Sequence, residues 1–189
     1  MYLSDKVRYG DKSDRYITDR TMRACSLLKS QGADTVVLAC NTATAVAIER
    51  LRMLDDSVRY IGTEPAVKPA LNSCDFVTVA LTPVAARQKR FARLINGYEK
   101  RIRVVAFANI AAEIEQAKFE ERKLCRIAEK MLAEVKGEGL VLGCTHYVFL
   151  KKYLAKLSPK LKLFDGNEGV ARQLPKAQES SVKFLNVEF

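Results

Sequence analysis

The chain contains a single histidine, His146, and no pair of cysteines at C-x-x-C spacing. Structural zinc sites usually combine four Cys or His ligands, often in close pairs. We therefore expect no metal site. The five cysteines are an odd number in a chain whose start has no signal-peptide core, so we expect reduced thiols and no disulfide framework.

Long apolar runs are also absent from the sequence. No stretch approaches the roughly 20 residues that span a bilayer, and the initial MYLSDKVRYGDKSDRY has no apolar signal-peptide core. With 189 residues, of which 48% are hydrophobic, the chain is long enough to bury a core. These features predict a globular, cytoplasmic protein that does not bind a membrane.

The net charge of +10 is not gathered into a nucleic-acid-binding motif. Lysines and arginines are mixed with acidic residues or spaced along helical patterns, without a basic stripe that is interleaved with aromatic residues. We expect ordinary solvated helix faces and no specific nucleic-acid partner. A positive field would still favour a small anionic substrate.

Short β-rich apolar runs alternate with longer helical patterns along the chain. This alternation predicts an α/β fold with mainly parallel sheets flanked by helices. The candidate strands are 35–40, 58–63, 76–82, 103–108, 139–144 and 161–165. The candidate helices are 14–30, 43–54, 84–97, 111–135, 147–156 and 167–174.

Two stretches form a weak internal repeat, TVVLACNTATAV and GLVLGCTHYVFL. In each, an apolar run stops at a cysteine, Cys40 or Cys144, and threonine-bearing residues then open a helical pattern. The repeat suggests two similar lobes, each with a thiol at the carboxyl end of a strand. Ligands bind at that end in open α/β sheets.

We predict that these two lobes face each other across a cleft that holds the active site. The first lobe is predicted to comprise residues 1–63 and 165–189, and the second residues 64–164. This arrangement would place the two thiols on opposite sides of one bound ligand.

A thiol at a strand-to-helix junction lies beside the N–H groups of the helix N-terminus, which favour the thiolate and would lower its pKa from about 8.5. His146, two residues after Cys144, could share that thiol's proton. Amide and hydroxyl groups beside the thiols could hold a carboxylate, namely those of Asn41, Thr42, Thr44 and Thr145.

Two such thiols could invert an amino acid by removing its α-proton on one face and returning a proton on the other. The alternative for each cysteine alone is a buried core thiol. Cys25 and Cys125 lie in helical patterns and are interpreted as structural.

Six segments of the sequence resemble the glutamate racemases of the cofactor-independent aspartate/glutamate racemase family. The segments run nearly from end to end: VRYGDKS, VVLACNTATA, IGTEPAVKPA, LTPVAARQKRF, LVLGCTHY and FDGNEGVARQL. The ACNTA and GCTHY motifs are the most specific.

The resemblance implies two α/β lobes and cofactor-free conversion of L-glutamate to D-glutamate for peptidoglycan synthesis. It implies that Cys40 and Cys144 transfer protons and that His146 supports Cys144. The residues that it implies for the glutamate site are Tyr9, Gly10, Asn41, Thr42, Thr82 and Thr145. Glu64 is either a site residue or an anchor of the segment between the lobes.

The sequence also departs from the family pattern. Relatives usually begin with a strand and a turn that reads approximately D-S-G-x-G-G, whose acid assists the first cysteine, and this sequence begins after that segment. Ala108-Asn109 stands where Cys-Pro is usual, and Arg8 and Val148 stand where prolines are usual.

These departures keep other hypotheses open. One is a clipped or degenerate relative with weak or no activity that binds an acidic amino acid. A second is a racemase for aspartate or a related acid. A third is a chain that closes the gap in its sheet by forming a homodimer.

Overall fold

The structure is a computed structural model and describes residues 2–4, 7–174 and 184–186. Its strands are β1 (Tyr2–Ser4), β2 (Thr35–Leu38), β3 (Arg59–Gly62), β4 (Val77–Leu81), β5 (Ile102–Ala106), β6 (Gly139–Leu142), β7 (Lys162–Asp165) and β8 (Phe184–Asn186). Its α-helices are α1 (Asp14–Ser30), α2 (Asn41–Leu54), α3 (Val67–Leu71), α4 (Pro83–Ala86), α5 (Lys89–Ile95), α6 (Ile110–Gln116), α7 (Glu121–Leu132), α8 (Lys151–Leu157) and α9 (Asn167–Ala171). Two 3₁₀ helices span Glu99–Arg101 and Thr145–Leu150.

The strands pair in parallel throughout the described sheets. β2 pairs with β3, β1 with β8, and a four-stranded sheet has the order β5-β4-β6-β7. The predicted α/β fold with parallel sheets is therefore confirmed. All six predicted strands are present, each one or two residues shorter than predicted.

Two predicted helices are each divided in two. The pattern at 111–135 forms α6 and α7, because Lys118 and Phe119 between them take left-handed backbone conformations with φ of 46° and 64°. The pattern at 84–97 forms α4 and α5, because Gln88 is extended at the start of α5. The first half of the helix predicted at 147–156 is a 3₁₀ helix.

Helices cover both faces of the four-stranded sheet. On α7, the buried residues Leu124, Ile127, Ala128 and Met131 follow helical spacing and pack with Ala80 of β4. On the opposite face of β4, Val77, Val79 and Leu81 pack with α3 and α5. We call this sheet and its helices the four-stranded unit.

A separate core joins β2 and β3 to α1 and α2. Ile17 of α1, Ala47 and Ile48 of α2 and Val36 of β2 are buried in it. We call this group the two-stranded unit. Among the residues that the structure describes, no helix is long and apolar enough to cross a membrane.

Candidate functional site

Cys40 and Cys144 occupy equivalent places at the ends of two parallel strands. Cys40 lies two residues beyond β2 and Cys144 two residues beyond β6. Cys40 is the N-cap of α2, where its Sγ accepts the N–H of Ala43 at 3.5 Å. Cys144 precedes the 3₁₀ helix, and its thiol makes no capping bond. The prediction that the residues after each cysteine open an α-helix is thus correct only after Cys40.

Both thiols line one cavity of about 890 Å³ that the two units enclose together. Beside the thiols, its wall contains most of the predicted site residues: Tyr9, Gly10, Thr42, Thr82, Thr145 and His146. From the thiols the cavity continues between α1 and β2, along Thr21, Cys25 and Leu28. The geometry thus brings the two cysteines and six further predicted residues to the same space.

Burial raises the pKa of both thiols, contrary to the prediction of lowered values. It raises the pKa of Cys144 to about 12, and the neighbouring Cys40 thiol adds to this effect. Burial also raises the pKa of Cys40, and this effect is larger than the opposite effect of the N–H groups of Ala43 and Thr42, which lower the pKa. Loss of water around each thiol therefore outweighs the helix N-terminus.

His146 connects Cys144 to a carboxylate that sequence reasoning did not identify. The Nδ1 atom lies 3.8 Å from Sγ of Cys144, and Nε2 lies 2.8 Å from Oε1 of Glu115. Glu115 lies on α6 and gave no signal in the sequence, where it is one of several acidic residues in a helical pattern. The contact of Glu115 with His146 becomes evident only in the folded chain, where α6 packs beside the 3₁₀ helix.

The hydroxyl groups of Thr42 and Thr82 meet where the two units touch. Their oxygen atoms are 2.9 Å apart and both residues are buried. Thr82 also accepts the N–H of Ala85 as the N-cap of α4. Gly10 packs closely here, since a Cβ at this position would lie 3.2 Å from Cγ2 of Thr82.

Asn41 and Glu64 lie outside the cleft wall. The side-chain amide of Asn41 donates to the carbonyl of Thr63 at 3.3 Å, in a small separate cavity. Glu64 lines that same cavity and forms an ion pair with Arg90 at 2.6 Å. The geometry favours an anchoring role for Glu64.

Tyr147 anchors the start of the 3₁₀ helix to the four-stranded sheet. Its ring is fully buried, and its hydroxyl lies 3.2 Å from the carbonyl of Leu81 and 3.3 Å from that of Phe107. It therefore ties the segment that carries Cys144 and His146 to the ends of β4 and β5.

Asn109 is a further cleft residue that the sequence did not assign to the site. It lies just beyond β5, at the start of α6, and lines the cavity. Its place at the carboxyl end of a parallel strand was the signal that could have identified it. Within residues 2–4, 7–174 and 184–186, no group of three or more His, Cys, Asp or Glu side chains is arranged to hold a metal ion.

The sequence profile of the Asp/Glu/Hydantoin racemase family matches residues 7–174. Among curated proteins, the glutamate racemase of Leptospira borgpetersenii serovar Hardjo-bovis is 37% identical over 171 residues, or 88% of this chain and 66% of the relative. That of Pseudomonas aeruginosa is 37% identical over 184 residues, or 92% of this chain and 69% of the relative.

Solved structures of glutamate racemases share this fold. One is the Escherichia coli glutamate racemase in complex with L-glutamate and the activator UDP-MurNAc-ala. The match has a TM-score of 0.80 at 25% identity and covers 98% of this chain and 77% of that structure. The match to the Aquifex pyrophilus glutamate racemase has a TM-score of 0.70 at 30% identity. It covers 91% of this chain and 71% of that structure. Since the family profile spans most of the chain and the Pseudomonas relative matches over more than two thirds of its length, the chain belongs to the Asp/Glu/Hydantoin racemase family.

Proposed function

We propose that the chain interconverts L- and D-glutamate, without a cofactor, by proton transfer between two thiols. The observation that carries this proposal is the pair of cysteines, Cys40 and Cys144, at two strand ends that line one cleft. The similarity to glutamate racemases supports glutamate as the substrate.

In the proposed reaction, the thiolate of one cysteine removes the α-proton of glutamate. The C–H bond breaks, an S–H bond forms, and the electron pair stays on the α-carbon and its carboxylate. The thiol of the other cysteine then protonates the opposite face of the α-carbon and becomes the thiolate. The atoms and charges balance, and the product is the other enantiomer.

His146 supports this chemistry at Cys144. Because the carboxylate of Glu115 can only accept, its 2.8 Å contact places the imidazole proton on Nε2. The bare Nδ1 then faces the Cys144 thiol and can take its proton. A buried thiol that ionises poorly by itself is thereby supplied with a base.

The proposed glutamate site uses the neutral donors around the thiols. Hydroxyl groups of Thr42, Thr82 and Thr145, with the N–H groups at the start of α2, are suited to bind carboxylates. Tyr9 and Gly10 approach from the segment before α1. The roles of these residues and of Asn41 are part of the proposal.

We also propose the lobe bounds of residues 1–63 with 165–189 and of residues 64–164. Support comes from the separate sheets and cores of the two-stranded and four-stranded units.

The proposed role is to supply D-glutamate for peptidoglycan in the cytoplasm. Glutamate is the proposed ligand, and sedimentation analysis would distinguish a monomer from a homodimer.

The direct test measures both the optical activity of glutamate and the exchange of its α-proton with solvent. Circular dichroism should record loss of signal from either pure enantiomer, and in D₂O the product should carry deuterium at the α-carbon. Aspartate in the same assay tests the related racemase. Glutamate binding without any α-deuterium exchange would contradict the proposal and favour a binding protein.

A further inference from the structure

An ion pair joins the segment before α1 to the four-stranded unit across the cleft. Nη1 of Arg8 lies 3.1 Å from Oε2 of Glu115, and both residues line the cavity. Arg8 directly precedes Tyr9 and Gly10, which contribute to the cleft wall. Glu115 lies 107 positions further along the chain, on α6.

The two oxygens of the Glu115 carboxylate have different partners. Oε1 contacts Nε2 of His146, and Oε2 contacts Arg8. A carboxylate held at both oxygens has its plane fixed, whereas one held only by His146 can rotate about its side chain. Arg8 therefore determines how Glu115 presents its other oxygen to the imidazole.

Stability does not explain this pair. The side chains of Arg8 and Glu115 are 46% and 42% exposed, and ion pairs at this exposure contribute little to folding because water screens them. The value of the contact lies in geometry, since Glu115 orients the only histidine of the chain.

We propose that Arg8 is a positioning residue that holds Glu115, and through it His146, in line with Cys144. The inference rests on the proposed racemase function and adds a residue to it. Gly10 of the same segment packs on Thr82, so this segment contacts the four-stranded unit at two points, through Gly10 and through Arg8.

A double-mutant cycle tests this role. Arg8→Gln removes the charge and should lower kcat for glutamate about tenfold while KM changes less, because misplacement of a proton-transfer group slows chemistry. Glu115→Gln should lower kcat as well, and Arg8→Gln should have no further effect in the Glu115→Gln background. Arg8→Lys should restore part of the rate.

Arg87→Gln is the matched control. Arg87 also forms an ion pair between the two units, with Asp14 at 3.0 Å, but it lies outside the cavity wall. Arg87→Gln removes the same charge as Arg8→Gln, and its kcat should stay within about twofold of that of the parent chain. The inference is overturned if Arg8→Gln behaves like Arg87→Gln, or if the effects of Arg8→Gln and Glu115→Gln multiply.

A spectroscopic measurement separates this inference from the proposed activity. In ¹⁵N-labelled protein, the imidazole signals belong to His146 alone, because the sequence has one histidine. Arg8→Gln should shift or broaden these signals, and Arg87→Gln should leave them unchanged. Unchanged signals in Arg8→Gln overturn the inference whether or not the chain racemises glutamate, whereas shifted signals without racemase activity would reject only the proposed function.

Discussion

At the scale of single residues, the two thiols combine a helix-start position with burial, which is deep for Cys144 and partial for Cys40. Cys144 is only 7% exposed, and loss of solvent raises its pKa to about 12. A thiol in this state is almost fully protonated near neutral pH, so it suits the proton donor of the proposed pair. The proton acceptor must be generated, and His146 is placed to do this for Cys144.

The raised pKa values predict how activity depends on pH. A thiol must lose its proton to act as a base, and below its pKa the thiolate fraction grows about tenfold per pH unit. We therefore expect kcat/KM to rise from about pH 7 to about pH 9, without a plateau near neutrality. The measurement is the initial rate by circular dichroism at constant ionic strength. A flat kcat/KM profile over this range would contradict raised thiol pKa values in the free protein, because kcat/KM reports the ionisation of the free enzyme.

Substitution of either thiol should stop racemisation. In Cys144→Ala, the remaining Cys40 can still remove the α-proton of one enantiomer but has no partner to protonate the other face. We expect turnover to fall by roughly 10²-fold or more. Deuterium exchange should persist for one enantiomer only, and Cys40→Ala should retain exchange of the opposite one. Cys125→Ala, on α7, is the control and should racemise at the parent rate. Equal exchange of both enantiomers in Cys144→Ala would contradict the two-thiol mechanism.

At the scale of elements, Tyr147 links the 3₁₀ helix to two strands. Tyr147→Phe keeps the ring but leaves the carbonyls of Leu81 and Phe107 without this donor. The free energy of unfolding should fall by about 0.5–1.5 kcal/mol, the net contribution of one hydrogen bond, because the Leu81 carbonyl keeps the N–H of Phe107 at 2.8 Å. Chemical denaturation measures the change. Tyr98→Phe, at an exposed site, is the control, and an equal small loss in both variants would show that the Tyr147 hydroxyl is dispensable.

The sequence was sufficient to predict β2 to β7 because their apolar runs are short and end at clear breaks. It did not predict β1 and β8, which have only three residues each. It did predict α1 at its observed bounds, where Ser13 caps the helix by accepting the N–H of Tyr16. The division between α6 and α7 was not predictable, since neither Lys118 nor Phe119 favours a left-handed backbone.

The site was predictable only where a residue type and a strand end coincided. Cys40, Cys144 and His146 met that condition. Arg8 and Glu115 did not, because their contact joins positions 107 apart and depends on how the units pack. The thiol pKa values were predicted in the wrong direction because burial cannot be judged from the helix-start position alone.

At the scale of the whole molecule, several charged surface pairs join the two units, beside the buried contact of Thr42 with Thr82. Asp14 of α1 receives hydrogen bonds from Gln88 and Arg87, which hold its carboxyl pKa below the usual value. Glu49 of α2 pairs with Arg90 and Arg93 of α5. Solvent-screened contacts of this kind allow movement between packed units more readily than an apolar interface does.

A ligand that contacts both units should therefore stabilise the whole molecule. Glutamate at about a hundred times its Kd should add about 2.7 kcal/mol to the free energy of unfolding and raise the Tm by about 5–10 °C. Differential scanning fluorimetry measures the shift, with lysine as the control amino acid of opposite side-chain charge.

The same measurement on Cys144→Ala separates binding from chemistry. This variant keeps the threonine hydroxyls and helix N–H groups proposed to bind carboxylates, so glutamate should raise its Tm almost as much as that of the parent chain, although turnover is lost. If glutamate shifts neither protein, the cleft does not bind it. If the shift disappears only in Cys144→Ala, the thiol contributes to binding, and loss of activity in that variant no longer identifies a proton-transfer group.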